Sequence, residues 1–161
     1  MDQDIEYYQA KDAARLISST PSDVARLGQV ISPDIPADGR GYRSFYSFRN
    51  LVEMRLGEEL VSIGISWKRI SKYIEALRKS HGRWLEEDGL DGWLVLDRLW
   101  QWGAGTTLEM AMDAVFQDHP RTLAIAVNVG LIKQAIRRKT EDDISDEAFK
   151  EIREQIERDG D

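Results

Sequence analysis

Residues 37–55, ADGRGYRSFYSFRNLVEMR, decide the fold of the first half of the chain. They begin with Asp38-Gly39 and Arg40-Gly41, dipeptides typical of tight turns, and continue with alternating aromatic residues of the kind that strands favour. Ser47 then precedes apolar residues that recur at the helical spacings four, four, four and three: Phe48, Val52, Leu56, Leu60 and Ile63. The stretch therefore predicts a small basic hairpin and then a long helix, which Ser47 caps and Gly64 ends.

Two short helices are predicted before the hairpin, over residues 8–17 (YQAKDAARLI) and from Thr20 onward (TPSDVARLGQVI). Thr20 suits the N-cap, Pro21 suits the first helical position, and Asp23 follows the cap at the spacing of a capping box. Two short helices joined by a few small residues are typical of a helix-turn-helix, although unrelated helical hairpins produce the same pattern.

A fourth helix is predicted from Ser66, its N-cap, to about Lys79, with Ile65 and Ile70 placed as a hydrophobic staple. Its buried side is expected to hold Trp67, Ile70, Ile74 and Leu77. Its basic residues are interpreted as a solvated side: Lys68, Arg69 and Lys72.

The second half of the chain shows weaker patterns. Residues 84–105 favour strands, with a helix as the alternative, because Asp-Gly-type turn signals separate Trp-rich runs. A helix is predicted over 106–118, capped by Thr106 or Thr107, and residues 122–130 predict either a strand or the start of a helix. Two separate helices are expected after that, over 131–139 and 145–158, with Ser145 capping the second.

Composition and charge limit the class of protein. The 161 residues are 42% apolar and 32% charged, which is typical of a soluble globular protein, and no apolar run approaches the ~20 residues of a membrane span. The acidic N-terminus does not resemble a signal or transit peptide, and the absence of cysteine excludes disulfides and thiolate metal sites. We expect a cytoplasmic protein without a membrane partner.

The charge is divided unequally along the chain. Residues 1–80 carry 12 Lys and Arg against 11 Asp and Glu, whereas residues 81–161 carry 10 against 18. This asymmetry predicts two modules with different partners, namely a domain over 1–79 and an acidic, Trp-rich regulatory or oligomerisation region over 80–161.

The order helix, turn, helix, basic hairpin, long helix and fourth helix resembles the MerR family of bacterial transcription regulators over about residues 7–79. The matching pieces are YYQAKDAARLI, TPSDVARLGQVISP, GRGYRSFYSFRNL and LVSIGISWKRISKYIEAL. The resemblance implies a mainly α fold: a winged helix-turn-helix domain, followed here by a small α+β or helical C-terminal domain. It also implies a homodimer, of bacterial or phage origin, that places the second helix in the major groove and the hairpin, or wing, on the phosphates.

The resemblance assigns DNA contacts residue by residue. Ser22, Asp23 and Arg26 come to the first turns of the recognition helix, and Arg40, Tyr42 and Arg43 to the wing, while Tyr46 and Arg49 open the third helix. The chain departs from the family at Ser22, where an arginine is usual, and at Arg26-Leu27, where two tyrosines are usual. Its hairpin is one residue longer, the sensor cysteines are absent, and no long dimerising helix is evident after the fourth helix.

Each of these assignments has a plainer alternative. Asp23 is favoured as a capping residue over a base reader, Arg40 and Arg43 could lie on a solvated hairpin, and Tyr42 and Tyr46 could pack under the wing. The aromatic residues of the second half could form a ligand pocket or partner patch, or simply fill a core: Trp84, Trp93, Trp100 and Trp102.

Catalytic chemistry finds no support in the sequence. His81 and His119 stand alone, so no metal site is expected, and the acidic runs at 86–88 and 141–143 are interpreted as solvated. No phosphate-binding glycine loop and no catalytic triad is present. We expect neither an enzyme nor a cofactor.

Two functions therefore remain open. The first is a sequence-specific, double-stranded DNA-binding transcription regulator. The second is an antitoxin or adaptor whose acidic C-terminal half binds a basic protein partner, with DNA binding secondary or autoregulatory.

Overall fold

The computed structural model describes residues 6–37, 43–86, 89, 91–97, 99, 101–117 and 123–159. This part of the chain is mainly helical, as predicted, with a two-stranded and a three-stranded antiparallel sheet. In chain order the elements are β1 (Tyr7–Tyr8), α1 (Ala10–Leu16), α2 (Pro21–Val30), β2 (Tyr46–Ser47), α3 (Phe48–Ser62), α4 (Trp67–His81), β3 (Trp93–Asp97), β4 (Trp102–Gly105), α5 (Leu108–Phe116), β5 (Ala124–Asn128) and α6 (Val129–Asp159).

The predicted N-caps of α2 and α3 are confirmed. Thr20 Oγ1 accepts a hydrogen bond from the Asp23 amide at 3.1 Å, and Pro21 is the first helical residue. Ser47 and Asn50 form a reciprocal capping box at the start of α3. At Ser66 the predicted N-cap position is correct, but its side chain makes no capping hydrogen bond.

α3 is the central helix and is buried on several sides rather than along one stripe. Leu51 and Met54 are as fully buried as Val52, Leu56 and Leu60 of the predicted stripe, because α2, α4, α6 and β2 all pack on α3. The predicted burial of Ile63 is wrong, since Ile63 lies beyond the last helical residue and is 39% exposed.

The end of α3 explains why a glycine stands at position 64. The Gly64 amide donates to the Val61 carbonyl at 2.9 Å, and the Ile65 amide donates to the Leu60 carbonyl at 3.1 Å. This pair of bonds is a Schellman motif. It places Gly64 at φ +93°, in the left-handed region that a glycine adopts without strain.

The strands predicted in the second half are present, and the helical alternative for that region is wrong. β3 is the centre of the sheet, with β4 and β5 on either side, both antiparallel to it. Leu94 and Leu96 face the main core, whereas Val95 faces α5 on the opposite side. α5 begins after Thr107, whose hydroxyl accepts from the Met110 amide at 3.2 Å.

The two helices predicted after residue 130 are one continuous helix, α6, which runs from Val129 to Asp159. The interpretation of Ser145 as an N-cap is therefore wrong, because its backbone lies inside this helix. No glycine or proline occurs from residue 131 to 159, so nothing local interrupts the helical hydrogen bonding.

One hydrophobic cluster joins the two halves of the chain. Helices α1 to α4 share it with Leu85, Leu94, Leu96 and the α6 residues Val129, Ile132 and Ile136. α4 itself continues past the predicted boundary at 79/80 to His81. The division into two domains stays a prediction.

None of the helices in the described ranges is both long and apolar enough to cross a bilayer.

Candidate nucleic-acid interface

The exposed face of α2 is the natural centre of the candidate site. Val24 and Leu27 are buried, so the opposite face of the helix points to solvent. This face comprises Ser22, Ala25, Arg26 and Gln29. Sequence reasoning missed Gln29, although its spacing of seven from Ser22 places both residues on one face.

Asp23 is engaged by its own helix. One carboxylate oxygen accepts from the Thr20 hydroxyl at 2.8 Å, and the other pairs with Arg26 at 3.0 Å. Both oxygens therefore have partners at the start of α2. The Thr20 hydroxyl caps the helix, and the described hydrogen bonds include none from the Thr20 amide to the Asp23 carboxylate, so they do not complete a capping box.

Arg26 is held in place from two directions. Besides its pairing with Asp23, its guanidinium lies 5.7 Å from the centre of the Trp67 ring at the start of α4, within the range of a cation–π interaction. The side chain is nonetheless 62% exposed. Arg26 is thus pre-positioned at the surface, which lowers the entropy lost when it binds a ligand.

Two neighbouring elements approach opposite edges of the exposed face of α2. Tyr46 of β2 packs against Gly28 so closely that a Cβ there would lie 2.9 Å from the tyrosine oxygen. On the other edge, Trp67 lies beside Arg26 and the Ser71 hydroxyl donates to the Val30 carbonyl at 3.4 Å. The hairpin side and α4 therefore flank α2.

The hairpin predicted before α3 is formed at its base. Ile35 and Phe45 exchange two backbone hydrogen bonds, of 3.3 and 2.9 Å. Arg40 and Tyr42 lie outside the described residues. Arg43 is exposed and donates to the Gln9 side-chain oxygen, a neutral partner, at 2.7 Å.

Tyr46 does not lie at the surface. It is 4% exposed, and it pairs with Tyr8 across the β1–β2 sheet. Burial raises the pKa of Tyr46 above its usual value, while a hydrogen bond with Ser44 lowers it less. The interpretation of Tyr46 as a DNA contact is therefore corrected, because its ring and hydroxyl pack between β2 and α2.

Arg49 is at the start of α3, as predicted, but it already has an anionic partner. Its Nη2 lies 2.5 Å from an oxygen of Asp34, and the Ser47 hydroxyl donates to the other oxygen. Asp34 thus occupies the position near the helix N-terminus where an anion is favoured. A phosphate contact at Arg49 would have to displace Asp34.

α4 contributes cations that the sequence alone did not assign to the site. Lys68 and Lys72 follow Trp67 and Ser71 by one residue each, so they lie about 100° further round the helix, next to its α2-facing edge. They are exposed, and so is Arg69. Among the described ion pairs, no carboxylate lies within 4.0 Å of any of the three: Lys68, Arg69 and Lys72. The sequence feature that could have identified them is their spacing, which places them on one exposed side of α4.

The described tryptophans of the second half do not form one patch. Trp84 is buried, with the His81 ring 4.3 Å away. Trp93 and Trp102 lie on opposite faces of the three-stranded sheet: Trp93 packs with the α5 cluster, and Trp102 packs on the main core near Tyr73. Trp100 lies outside the described residues. The idea of a shared aromatic surface is therefore withdrawn.

No protein-family model matches this chain, and no curated protein matches it either. The described residues also contain no group of three histidine, aspartate or glutamate side chains placed to bind a metal ion. The candidate site thus stands on its own geometry.

Proposed function

We propose that this chain is a sequence-specific DNA-binding transcription regulator of the winged helix-turn-helix type. In this proposal α2 lies in the major groove, where base edges are read, and the hairpin lies along phosphates. The observation that carries the proposal is the placement, on both sides of the exposed face of α2, of cations that have no carboxylate partner among the described ion pairs. They are Arg43 on the hairpin side, and Lys68 and Lys72 on α4.

This arrangement fits the chemistry of duplex DNA. A helix in the major groove has a phosphate backbone on each side, and contacts to phosphates set the position of the protein while contacts to bases set its specificity. Arg26 supplies a guanidinium suited to a guanine edge, held at the surface by Trp67. Ser22 and Gln29 offer further hydrogen-bonding groups on the same face.

The resemblance to the MerR family adds two features to the proposal. One is a homodimer, so that two copies of α2 read two half-sites. The other is that the wing is completed by Arg40 and Tyr42, which follow the family pattern in the sequence.

The test of base reading is a selection of bound duplexes from a random pool. The wild type is expected to enrich one motif, and Arg26→Ala is expected to enrich a different or weaker one, because one base contact is removed. Lys79→Ala is the control, since Lys79 is paired with Glu75 on the same helix as the cationic group. Loss of affinity without any change of motif in Arg26→Ala would exclude Arg26 as a base reader.

A second candidate function is an adaptor or antitoxin that binds a basic protein. It is favoured by the exposed acidic residues of α6, namely Glu141, Asp142, Asp146 and Glu147. Co-purification of a basic partner, together with the absence of any enriched motif in the selection, would support this function instead.

A further inference from the structure

A cleft of about 270 Å³ opens between α1, α3 and α6. Its floor is apolar and buried, formed by Ile17 at the end of α1 and by Ile132 and Ile136 of α6. Ala135 and Leu131 lie on the α6 rim of the cleft, and Leu131 is 60% exposed. None of the residues proposed to contact DNA lines this cleft.

One end of the cleft carries a cation without a carboxylate partner among the described ion pairs. Lys139 Nζ donates to the Arg15 carbonyl at 3.2 Å and to the Ser18 hydroxyl, and both acceptors are neutral. An ammonium has three N–H donors, so one remains available to a ligand. Arg55, on the α3 side, is by contrast paired with Glu59 at 2.5 Å.

We propose that this cleft binds a small amphipathic monocarboxylate. The apolar body of the ligand lies on Ile132 and Ile136, and its carboxylate accepts a charge-assisted hydrogen bond from Lys139. The volume is slightly below the ~300–1,000 Å³ of sites for drug-sized ligands, so the ligand is small.

The same atoms hold the turn between α1 and α2. Ser18 lies at φ +59°, in the left-handed region that is costly for a serine, and Lys139 bonds its hydroxyl. Arg55 donates to the Ile17 carbonyl at 3.2 Å, and the Ser19 hydroxyl donates to Glu58. A carboxylate bonded to the remaining N–H of Lys139 therefore lies beside the contacts that fix this turn. An effect on DNA binding rests on the proposed function, whereas ligand binding does not.

The experiment is a calorimetric titration of the full chain with sodium octanoate. Two comparison probes separate the parts of the ligand: acetate has the carboxylate without the body, and octan-1-ol has the body without the charge. Octanoate is expected to bind at one site, at least about tenfold more tightly than either comparison probe, because only octanoate makes both interactions. Its binding is also expected to shift the amide NMR signals of Ser18 and Ser19.

Variants with matched controls locate the site. Ala135→Trp fills the cleft and is expected to abolish octanoate binding, whereas Gln134→Trp, at the exposed neighbouring position outside the cleft, keeps it. Lys139→Met is expected to weaken octanoate about tenfold without changing octan-1-ol binding. Arg138→Met is the control for that change. Circular dichroism checks that each variant is folded.

Three results would overturn the proposal. They are no saturable octanoate binding below its micellar range, unchanged binding in Ala135→Trp, and octan-1-ol binding as tight as that of octanoate. The titration contains no DNA, so its failure leaves the proposed DNA-binding function untouched.

Discussion

A buried ion pair joins α3 to α4 and gives a sharp prediction about stability. The Glu53 side chain is 0% exposed, and Arg78 reaches its two oxygens with Nε and Nη2 at 2.5 Å each. This hydrogen bonding raises the pKa of Arg78 above its usual value. The Arg78 Nη2 also donates to the Ser32 carbonyl at 3.2 Å, so the pair anchors the segment that leads from α2 to the hairpin.

The two halves of this pair are expected to contribute unequally. Arg78→Met leaves the Glu53 carboxylate buried with one remaining donor, the Asn50 amide at 3.2 Å, and we expect a loss of about 3–5 kcal/mol in the free energy of unfolding. Glu53→Gln leaves Arg78, whose side chain is 29% exposed and can reach water. The expected loss is then about 1–2 kcal/mol.

Urea denaturation followed by tryptophan fluorescence measures both losses, with unchanged m-values showing that the folded states stay comparable. The matched control is Lys79→Met, at the next position of α4, where the ion pair with Glu75 is exposed, with 74% and 65% of the two side chains accessible. Its expected effect is within the error of the measurement, because an exposed ion pair contributes little to stability. An Arg78→Met loss no larger than that of Lys79→Met, or smaller than that of Glu53→Gln, would refute the reasoning.

Three further predictions concern packing, pH and helix continuity. Gly105→Ala should lower the free energy of unfolding, measured by thermal denaturation, by about 1–3 kcal/mol, because the new Cβ would lie 2.5 Å from the Ala111 backbone nitrogen. Gly82→Ala is the control and should be neutral, because nothing lies within 4 Å of the added Cβ there. Equal effects of the two substitutions would contradict the close packing of α5 on β4. Burial raises the pKa of Tyr46, so the neutral Tyr46 side chain makes its full contribution to the free energy of unfolding below pH ~10. That contribution is lost as the pH rises through the raised pKa of Tyr46 in the folded state. Urea unfolding above pH ~10 should therefore show a smaller decline for Tyr46→Phe than for the wild type, and identical declines would exclude this role. Ser145→Ala should leave the free energy of unfolding unchanged or slightly raised, because alanine is favoured over serine inside a helix. A loss of about 1 kcal/mol, typical of a removed N-cap, would show that α6 is interrupted at this position.

The sequence alone predicted the helix ends that depend on bonds between residues close together in the chain. Thr20, Ser47 and Gly64 mark helix ends through bonds to neighbours three positions away, so their patterns sufficed. Ser145 misled because a good capping residue without a helix-breaking neighbour is also tolerated inside a helix. The helix α6 instead continues through Ser145 without a break.

The sequence alone did not predict the contacts between residues that are far apart in the chain. Alternating aromatic residues predict a strand but not which side of it is covered, and Tyr46 packs against α2 where Gly28 presents bare backbone. The partner of Arg49 lies 15 positions earlier, at Asp34, and that of Glu53 lies 25 positions later. No spacing in the sequence identifies such pairs, since tertiary packing alone brings them together.

The placement of cations beside α2 is tested most directly by fluorescence anisotropy on a labelled duplex from the region upstream of the coding sequence, across a salt series. Wild type, Arg40→Ala with Arg43→Ala, and Lys68→Gln with Lys72→Gln are compared, with Lys79→Gln as the control. We predict salt-steep binding by the wild type and by Lys79→Gln, and a slope reduced by about one to two units in each double variant, on every duplex sequence alike. No binding by the wild type at ~100 mM salt, or an unchanged slope in both double variants, would contradict the proposed DNA-binding function.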